Sequence, residues 1–298
     1  MQKYKNLLKL IIKLTVSVLC LWYVSYKINW LQTWRTFKQS DWLWLFVAVV
    51  LFVASKIVAS FRLNIYFRNI NVKLSEKKNL ELYWLGMFYN IFLPGGIGGD
   101  AYKVILLNKR YQYPAKLLTA AVLLDRVSGV VGISILSAVY YYFVFNGGNY
   151  AVWLLLAGVP AMIVYYFVVK KFFPSFISSF WSTFWLGVTV QALQVVAVYC
   201  IMAALHLRLH GTEYILIFLV SSLVAVLPFT IGGLGAREVV FIWGSKHFLL
   251  DQSQSVTISL LFYLISVLIS LIGMYWVYND PLKKEDSGLL SSKTVMEG

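Results

Sequence analysis

Leu93-Pro94-Gly95-Gly96-Ile97-Gly98-Gly99 recurs further along the chain as Leu227-Pro228-Phe229-Thr230-Ile231-Gly232-Gly233. Aligned without a gap, the match continues to a cation in each copy, Lys103 and Arg237. Both copies interrupt long apolar stretches. Proline lacks a backbone donor and glycine disfavours the helix, so each copy predicts a helix break. A break at membrane depth leaves backbone groups that only protein or water can satisfy. Paired breaks in corresponding halves of an apolar chain mark a substrate site near the bilayer midplane. The pattern is that of a transport protein.

Composition sets the same frame. Of 298 residues, 60% are hydrophobic and only 13% charged, more apolar surface than a soluble domain of this size can hide. The net charge of +14 would suggest nucleic acid in a soluble protein. Here the cations flank apolar spans, where they orient the chain and meet anionic headgroups, so no nucleic-acid partner is expected. Cys20 and Cys200 both fall within apolar runs and read as packing residues. His206 and His210 lack the acidic partners of a metal motif, so neither metal nor cofactor is expected. Lys3, Lys5, Lys9 and Lys13 precede an apolar run without an Ala-x-Ala-like site, which predicts an uncleaved signal-anchor helix.

Six full crossings are expected: Leu7 to Tyr26, Trp42 to Phe61, Leu117 to Phe143, Ala151 to Val169, Thr183 to Leu205, and Val256 to Tyr278. Two segments remain, Leu80 to Leu107 and Tyr214 to Trp243, each with one Pro/Gly break. The arm from Leu80 to Pro94 and that from Tyr214 to Pro228 are equally long. Each would reach about 21 Å, short of the ~30 Å hydrocarbon core, so the chain is expected to turn back.

With a cytoplasmic N-terminus, the inner loops carry Arg62, Arg68, Lys73, Lys77 and Lys78, then Lys109, Arg110 and Lys116, then Lys170 and Lys171. The tail begins with Lys283 and Lys284. The outer loops are poorer in cations, apart from Lys27, Arg35 and Lys38, so both termini are expected inside. Three full helices separate the hairpins, an odd number, so the first dips in from the cytoplasm and the second from the opposite face. The expected fold is an all-α polytopic membrane protein with six full helices and two re-entrant hairpins in inverted repeat. Residues 1–280 form one domain, and 281–298 a short disordered cytoplasmic tail.

Ionisable groups at membrane depth cost about 2.5–3.5 kcal/mol each on insertion scales, which makes them functional candidates. They are Asp100 and Lys103 after the first break, Arg237 and Glu238 after the second, and Asp125 with Arg126 on the third crossing. Lys103, Arg237 and Arg126 are expected to bind an anion, with Asp100, Asp125 and Glu238 gating or exchanging protons. The structural alternative is that these charges neutralise one another and lock the hairpins into the bundle. After each Gly-Gly pair (Gly98-Gly99 and Gly232-Gly233) a new helical arm begins, and its unpaired N–H groups suit phosphate or carboxylate. The match of Gly96-x-Gly98-x-x-Ala101 to a dinucleotide fingerprint fails for want of a βαβ context, and no Walker A motif is present. Polar and small residues at helical spacing give three stripes: Ala121, Asp125, Ser128 and Gly132; Gly187, Gln191 and Gln194; and Ser259, Tyr263, Ser266, Ser270 and Gly273. Such stripes serve helix packing or line a headgroup path.

These residues carry a family resemblance: Pro94, Gly98-Gly99-Asp100-Ala101 with Lys103, Asp125-Arg126, then Pro228, Ile231-Gly232-Gly233-Leu234-Gly235 and Arg237-Glu238. In order and layout the chain resembles the membrane region of lysylphosphatidylglycerol synthase/flippase proteins and their stand-alone relatives. Lys103 stands where that family often has arginine. The resemblance implies a lipid flippase-like role in a prokaryotic cytoplasmic membrane. Polyprenyl-phosphate lipids are possible cargo, by analogy with stand-alone relatives. Only the polar run 279–298 follows Tyr278, so the soluble synthase domain and lysyl transfer are not expected.

Three functions follow from these residues. The leading one is a lipid translocase moving an anionic phospholipid or polyprenyl-phosphate-linked headgroup, with membrane lipids as partners. The second is an integral-membrane glycosyltransferase with a polyprenyl-phosphate donor and Asp100 or Asp125 as base. The third is a structural partner that holds another enzyme; besides membrane lipids, the expected partners are a second copy of the chain or a lipid-modifying enzyme.

Overall fold

A computed structural model describes residues 22, 25–26, 30–92, 98–226 and 235–282. Among them no strand occurs, and the helices are α1 (Trp30–Lys38), α2 (Trp42–Arg68), α3 (Glu76–Phe92), α4 (Gly98–Tyr111), α5 (Ala115–Val144), α6 (Asn149–Phe172), α7 (Phe180–Ala204), α8 (Gly211–Val226), α9 (Ala236–His247), α10 (Gln252–Leu271) and α11 (Tyr275–Tyr278). Short 3₁₀ turns at Pro174–Ser179 and Ile272–Met274 lead into α7 and α11. The chain is an all-helical, multi-pass membrane protein.

Four helical runs are long and apolar enough to cross a bilayer: Trp42–Arg68, Ala115–Val144, Pro174–Ala204 and Gln252–Tyr278. Three contain an expected crossing whole, and Pro174–Ala204 holds the fifth but for its last residue, Leu205. The expected crossing 151–169 lies inside α6, which carries Pro160 in its interior and Lys170 and Lys171 in its last turn. The expected first crossing, Leu7 to Tyr26, lies almost wholly outside the described residues. So do Pro94, Pro228, Gly232, Gly233 and the tail from 283. One boundary is corrected. The second crossing does not end at Phe61 but runs to Arg68, so Arg62 is helical and only 4% exposed rather than in a loop. The apolar pattern simply continues through Leu63, Tyr66 and Phe67.

The four helices of the break segments are short. α3, α4, α8 and α9 have 17, 14, 16 and 12 residues. At 1.5 Å per residue they span about 25, 21, 24 and 18 Å, each less than a ~30 Å hydrocarbon core. α3 packs along α4, and α8 along α9. Their outer ends lie at opposite ends of the bundle. Arg68 pairs with Glu76 at the start of α3, and Arg110 near the end of α4 pairs with Asp280. Tyr113 donates to Asn71 O at 2.9 Å, and Asn69 to Ser179, at that same end. At the other end, Asp41 N donates to Ala204 O at 2.9 Å. Gly211, opening α8, lies against Tyr199, and Phe248, just past α9, meets Phe145 at a tilt with ring centroids 6.1 Å apart.

Two apolar cores result. One is built from Leu45, Ala48 and Phe52 of α2, Ile133 of α5, Val195 to Ala204 of α7, and buried faces of α8, α9 and α10. The other holds Leu63 and Phe67 of α2, Leu118 to Leu124 of α5, Phe176 and Phe180. Helices cross closely where side chains vanish. A Cβ on Gly132 would stand 2.8 Å from Gly187 O, so α5 and α7 touch backbone to backbone.

Replacing Gly132 by leucine must therefore part α5 from α7. The expected cost is about 1–3 kcal/mol, read as a lower unfolding midpoint of the detergent-solubilised protein, whereas a leucine at Gly158, where a Cβ meets nothing within 4 Å, should leave it unchanged.

Candidate functional site: a charged layer between two apolar cores

On each of three long helices, the polar residues fall in the gap between the two cores. Lys56 and Arg62 lie between Phe52 and Leu63 of α2. Asp125, Arg126 and Ser128 lie between Leu124 and Ile133 of α5. Gln191 and Gln194 precede Val195 of α7. Arg62, Asp125, Ser128, Gln191 and Gln194 are all buried.

The centre of this layer is an ion pair. Arg62 Nε donates to Asp125 Oδ1 at 2.7 Å, with side chains 5% and 12% exposed. Gly187 makes room for it, since a Cβ there would come within 3.3 Å of Arg62 Nη1 and 2.7 Å of Ser128 O, and Gly129 lies beside the guanidinium. Gln191 Nε2 points at Gly129 O, 3.5 Å away. The second amino group of the pair, Arg62 Nη1, is buried with no hydrogen-bond partner among the described residues.

A second cluster sits where α3 and α4 meet. Asp100 receives Lys103 Nζ at 3.1 Å and is also bonded by Arg126 of α5. One carboxylate thus holds two cations and ties the short pair to a long helix. Gly86 of α3 is what lets Lys103 in, because a Cβ there would collide with its side chain. Gly99 in turn packs its backbone on the Gly86 carbonyl. The Gly99 N–H is not free for a ligand: Asn90 Oδ1 accepts it at 2.9 Å. Gly98 opens α4, half-buried. Tyr83 lies under Lys103 Nζ, 4.7 Å from its ring centre, and within electrostatic reach of both clusters.

The third group surrounds the start of α9. Gly235 takes φ +84°, a left-handed conformation that a side chain would strain, and caps the helix. Glu238 Oε2 accepts the Gly235 N–H at 2.8 Å, and its other oxygen accepts Ser259 Oγ of α10 at 2.8 Å. Glu238 is fully buried and both its oxygens are occupied. Arg237 differs. It donates from Nη2 to Ser222 Oγ at 3.0 Å, while Nε is buried without a partner among the described residues. Tyr263 stands within its electrostatic reach.

The structure thus brings Lys103, Arg126 and Asp100 together, and Arg237 with Glu238 and Tyr263. It pairs Asp125 not with Arg126 but with Arg62, which the sequence reading placed in a loop. It also adds Lys56, near the middle of α2 and within electrostatic reach of Arg237, Arg62 and Asp125. A lysine interrupting an apolar span was the available signal. Five cations in this layer face three carboxylates, leaving an excess of two positive charges among the described residues.

Such a charged layer inside an apolar bundle defines a polytopic membrane protein built around a polar centre. The sequence profile of the lysylphosphatidylglycerol synthase TM region matches residues 10–273, and the chain belongs to that family. It is also similar to UPF0104 membrane protein PH1989 of Pyrococcus horikoshii, 24% identical over 162 residues. That match covers 54% of this chain and 47% of the relative, so the alignment spans about half of either protein.

Asp100→Asn leaves Lys103 and Arg126 without their carboxylate. Breaking one side of a buried pair costs about 3–5 kcal/mol. The expected result is a sharply lower unfolding midpoint, with Asp100→Asn/Lys103→Met recovering part of the loss; equal midpoints for wild type and Asp100→Asn would show the cluster contributes nothing.

Proposed function

We propose that this protein is a lipid translocase, carrying an anionic headgroup through the charged layer while the hydrocarbon chains stay in the bilayer. The observation that carries the reading is the excess of cations over carboxylates between two apolar cores, with Arg237 partly unsatisfied. Uncompensated charge at membrane depth is costly, and a phosphate passing through would relieve it. Family membership supports a lipid-related role, since the family is named for a lipid-modifying synthase.

In this reading α3–α4 and α8–α9 are re-entrant hairpins dipping from opposite leaflets, beside six full crossings. Their sub-membrane lengths, their side-by-side packing and their outer ends at opposite ends of the bundle support it. The end bearing Arg68, Lys73, Lys77, Lys78, Lys109, Arg110, Lys170 and Lys171 would be cytoplasmic, by the positive-inside rule. Arg237 and Lys103 would grip the phosphate, joined by Arg126, near Gly98 and Gly99 at the start of α4. Asp100 would release Lys103 and Arg126 when a headgroup replaces it, since phosphate and carboxylate compete for the same donors. Asp125 holds Arg62 in place, and Glu238 holds the start of α9. Gln191, Gln194 and Tyr263 would line the path. The cargo would be an anionic phospholipid or a polyprenyl-phosphate-linked lipid.

Two measurements test this. In proteoliposomes with labelled phospholipid, Arg237→Ala and Lys103→Ala should each slow transbilayer movement by roughly tenfold or more, the worth of one or two charge-assisted hydrogen bonds; undiminished rates would overturn the reading. Single cysteines at Lys77, Lys109 and Lys170 should react with an impermeant maleimide only from the cytoplasmic side, and cysteines at Asn146 and Leu249 only from the opposite side.

A further inference from the structure

Two cations of the layer are held by aromatic rings instead of carboxylates. Lys56 Nζ stands 4.5 Å from the centre of the Phe52 ring. Phe52 packs edge-on against Phe262 at 5.5 Å, and Phe262 against Phe218 at 4.8 Å. The Arg237 guanidinium lies over the same cluster, 5.0 Å from Phe262 and 5.8 Å from Phe218. Three buried phenyl rings from α2, α8 and α10 thus form a platform that carries both cations.

A ring face stabilises a cation without accepting its N–H bonds and without cancelling its charge. Lys103 and Arg126, by contrast, are already bonded to Asp100. No carboxylate lies within ion-pair distance of Lys56 or Arg237 among the described residues. Arg237 Nε and Arg62 Nη1 are both buried and unpartnered there. Arg62, 4% exposed, completes the set, because its charge and that of Arg237 both act on Lys56. Free donors at three cations cannot satisfy one another, since all are donors. An anion with several acceptor oxygens can.

We propose that Lys56 and Arg237 form one phosphate-ester binding pocket on the Phe52–Phe218–Phe262 platform, with Arg62 contributing positive charge from six residues further along α2. In it Lys56 is a headgroup-binding residue. The charges within reach are Lys56, Arg62 and Arg237 against Asp125 and Glu238, a net +1, with Glu238 oxygens already taken by Gly235 and Ser259. The pocket therefore attracts an oxyanion without a metal bridge. The lipid nature of its occupant rests on the translocase reading; the binding of an anion does not.

Binding to the purified full chain in detergent tests the pocket, using short-chain phosphatidic acid, the diacylglycerol of the same chains, and inorganic phosphate. Phosphatidic acid should bind wild type and lose roughly tenfold or more in affinity with Lys56→Gln and with Arg237→Gln. Lys56→Arg should keep within about threefold of wild type, because the charge remains. Diacylglycerol should bind more weakly and ignore both substitutions. Equal affinity of Lys56→Gln and wild type for phosphatidic acid overturns the pocket. Inorganic phosphate bound through Lys56, with no binding of phosphatidic acid, overturns the lipid headgroup as its occupant. If Lys56→Gln elutes as aggregate, Phe262→Leu takes its place, and unchanged affinity there counts against the platform. Lys56-dependent binding without any transbilayer movement would sink the translocase and leave the pocket standing.

Discussion

Charge buried between two apolar cores must be neutralised or given a ligand, and the arrangement of this bundle follows from that requirement. Water cannot solvate a guanidinium at the level of Arg62, and an unpaired charge in such surroundings costs several kcal/mol. Each carboxylate of the layer is accordingly committed. Asp125 holds Arg62, Asp100 holds Lys103 and Arg126, and Glu238 holds the Gly235 N–H and Ser259. These commitments also fix topology, because each one ties together separate helices: α2 to α5, α4 to α5, and α9 to α10.

Glycine is the means by which long polar side chains enter a tightly packed interior. Gly86 yields its space to Lys103, and Gly187 yields its own to Arg62. The same residues let backbones approach, as at Gly132 on Gly187 and at Gly99 on Gly86. Small residues in membrane helices therefore do two things at once here. They close helix crossings, where dispersion replaces the absent hydrophobic drive, and they admit the charges that the crossings enclose.

The cations divide by what holds them. Lys103 and Arg126 are held by a carboxylate, which cancels charge and occupies donors. Lys56 and Arg237 rest on phenyl rings, which do neither. Only the second kind keeps its charge uncancelled by a paired carboxylate among the described residues. Ser222 takes one Arg237 donor and leaves the rest, which sets that side chain's direction without saturating it.

Four long apolar spans, the four short helices and most of the charged layer were legible in the sequence. They depend on local rules: helix length, the missing proline donor, and the rarity of charge at membrane depth. Lys103 beside Asp100 follows from i,i+3 spacing alone. Arg62 was not legible as a core residue, because a hydropathy cut at Phe61 cannot tell a helix that emerges from one that runs on beneath neighbouring helices. Neither was the choice of partner. Asp125 and Arg126 are adjacent in sequence, yet successive helical residues face different ways, so one meets Arg62 and the other Asp100. Lys56 and Phe52 share a helix face by their spacing, but their role needs Phe218 and Phe262 from two other helices. Sequence by itself determined which segments are helical and apolar, and which residues are charged. Tertiary structure decided which charges cancel and which stay open, because pairing depends on which helices cross, at what depth, and where a glycine leaves room.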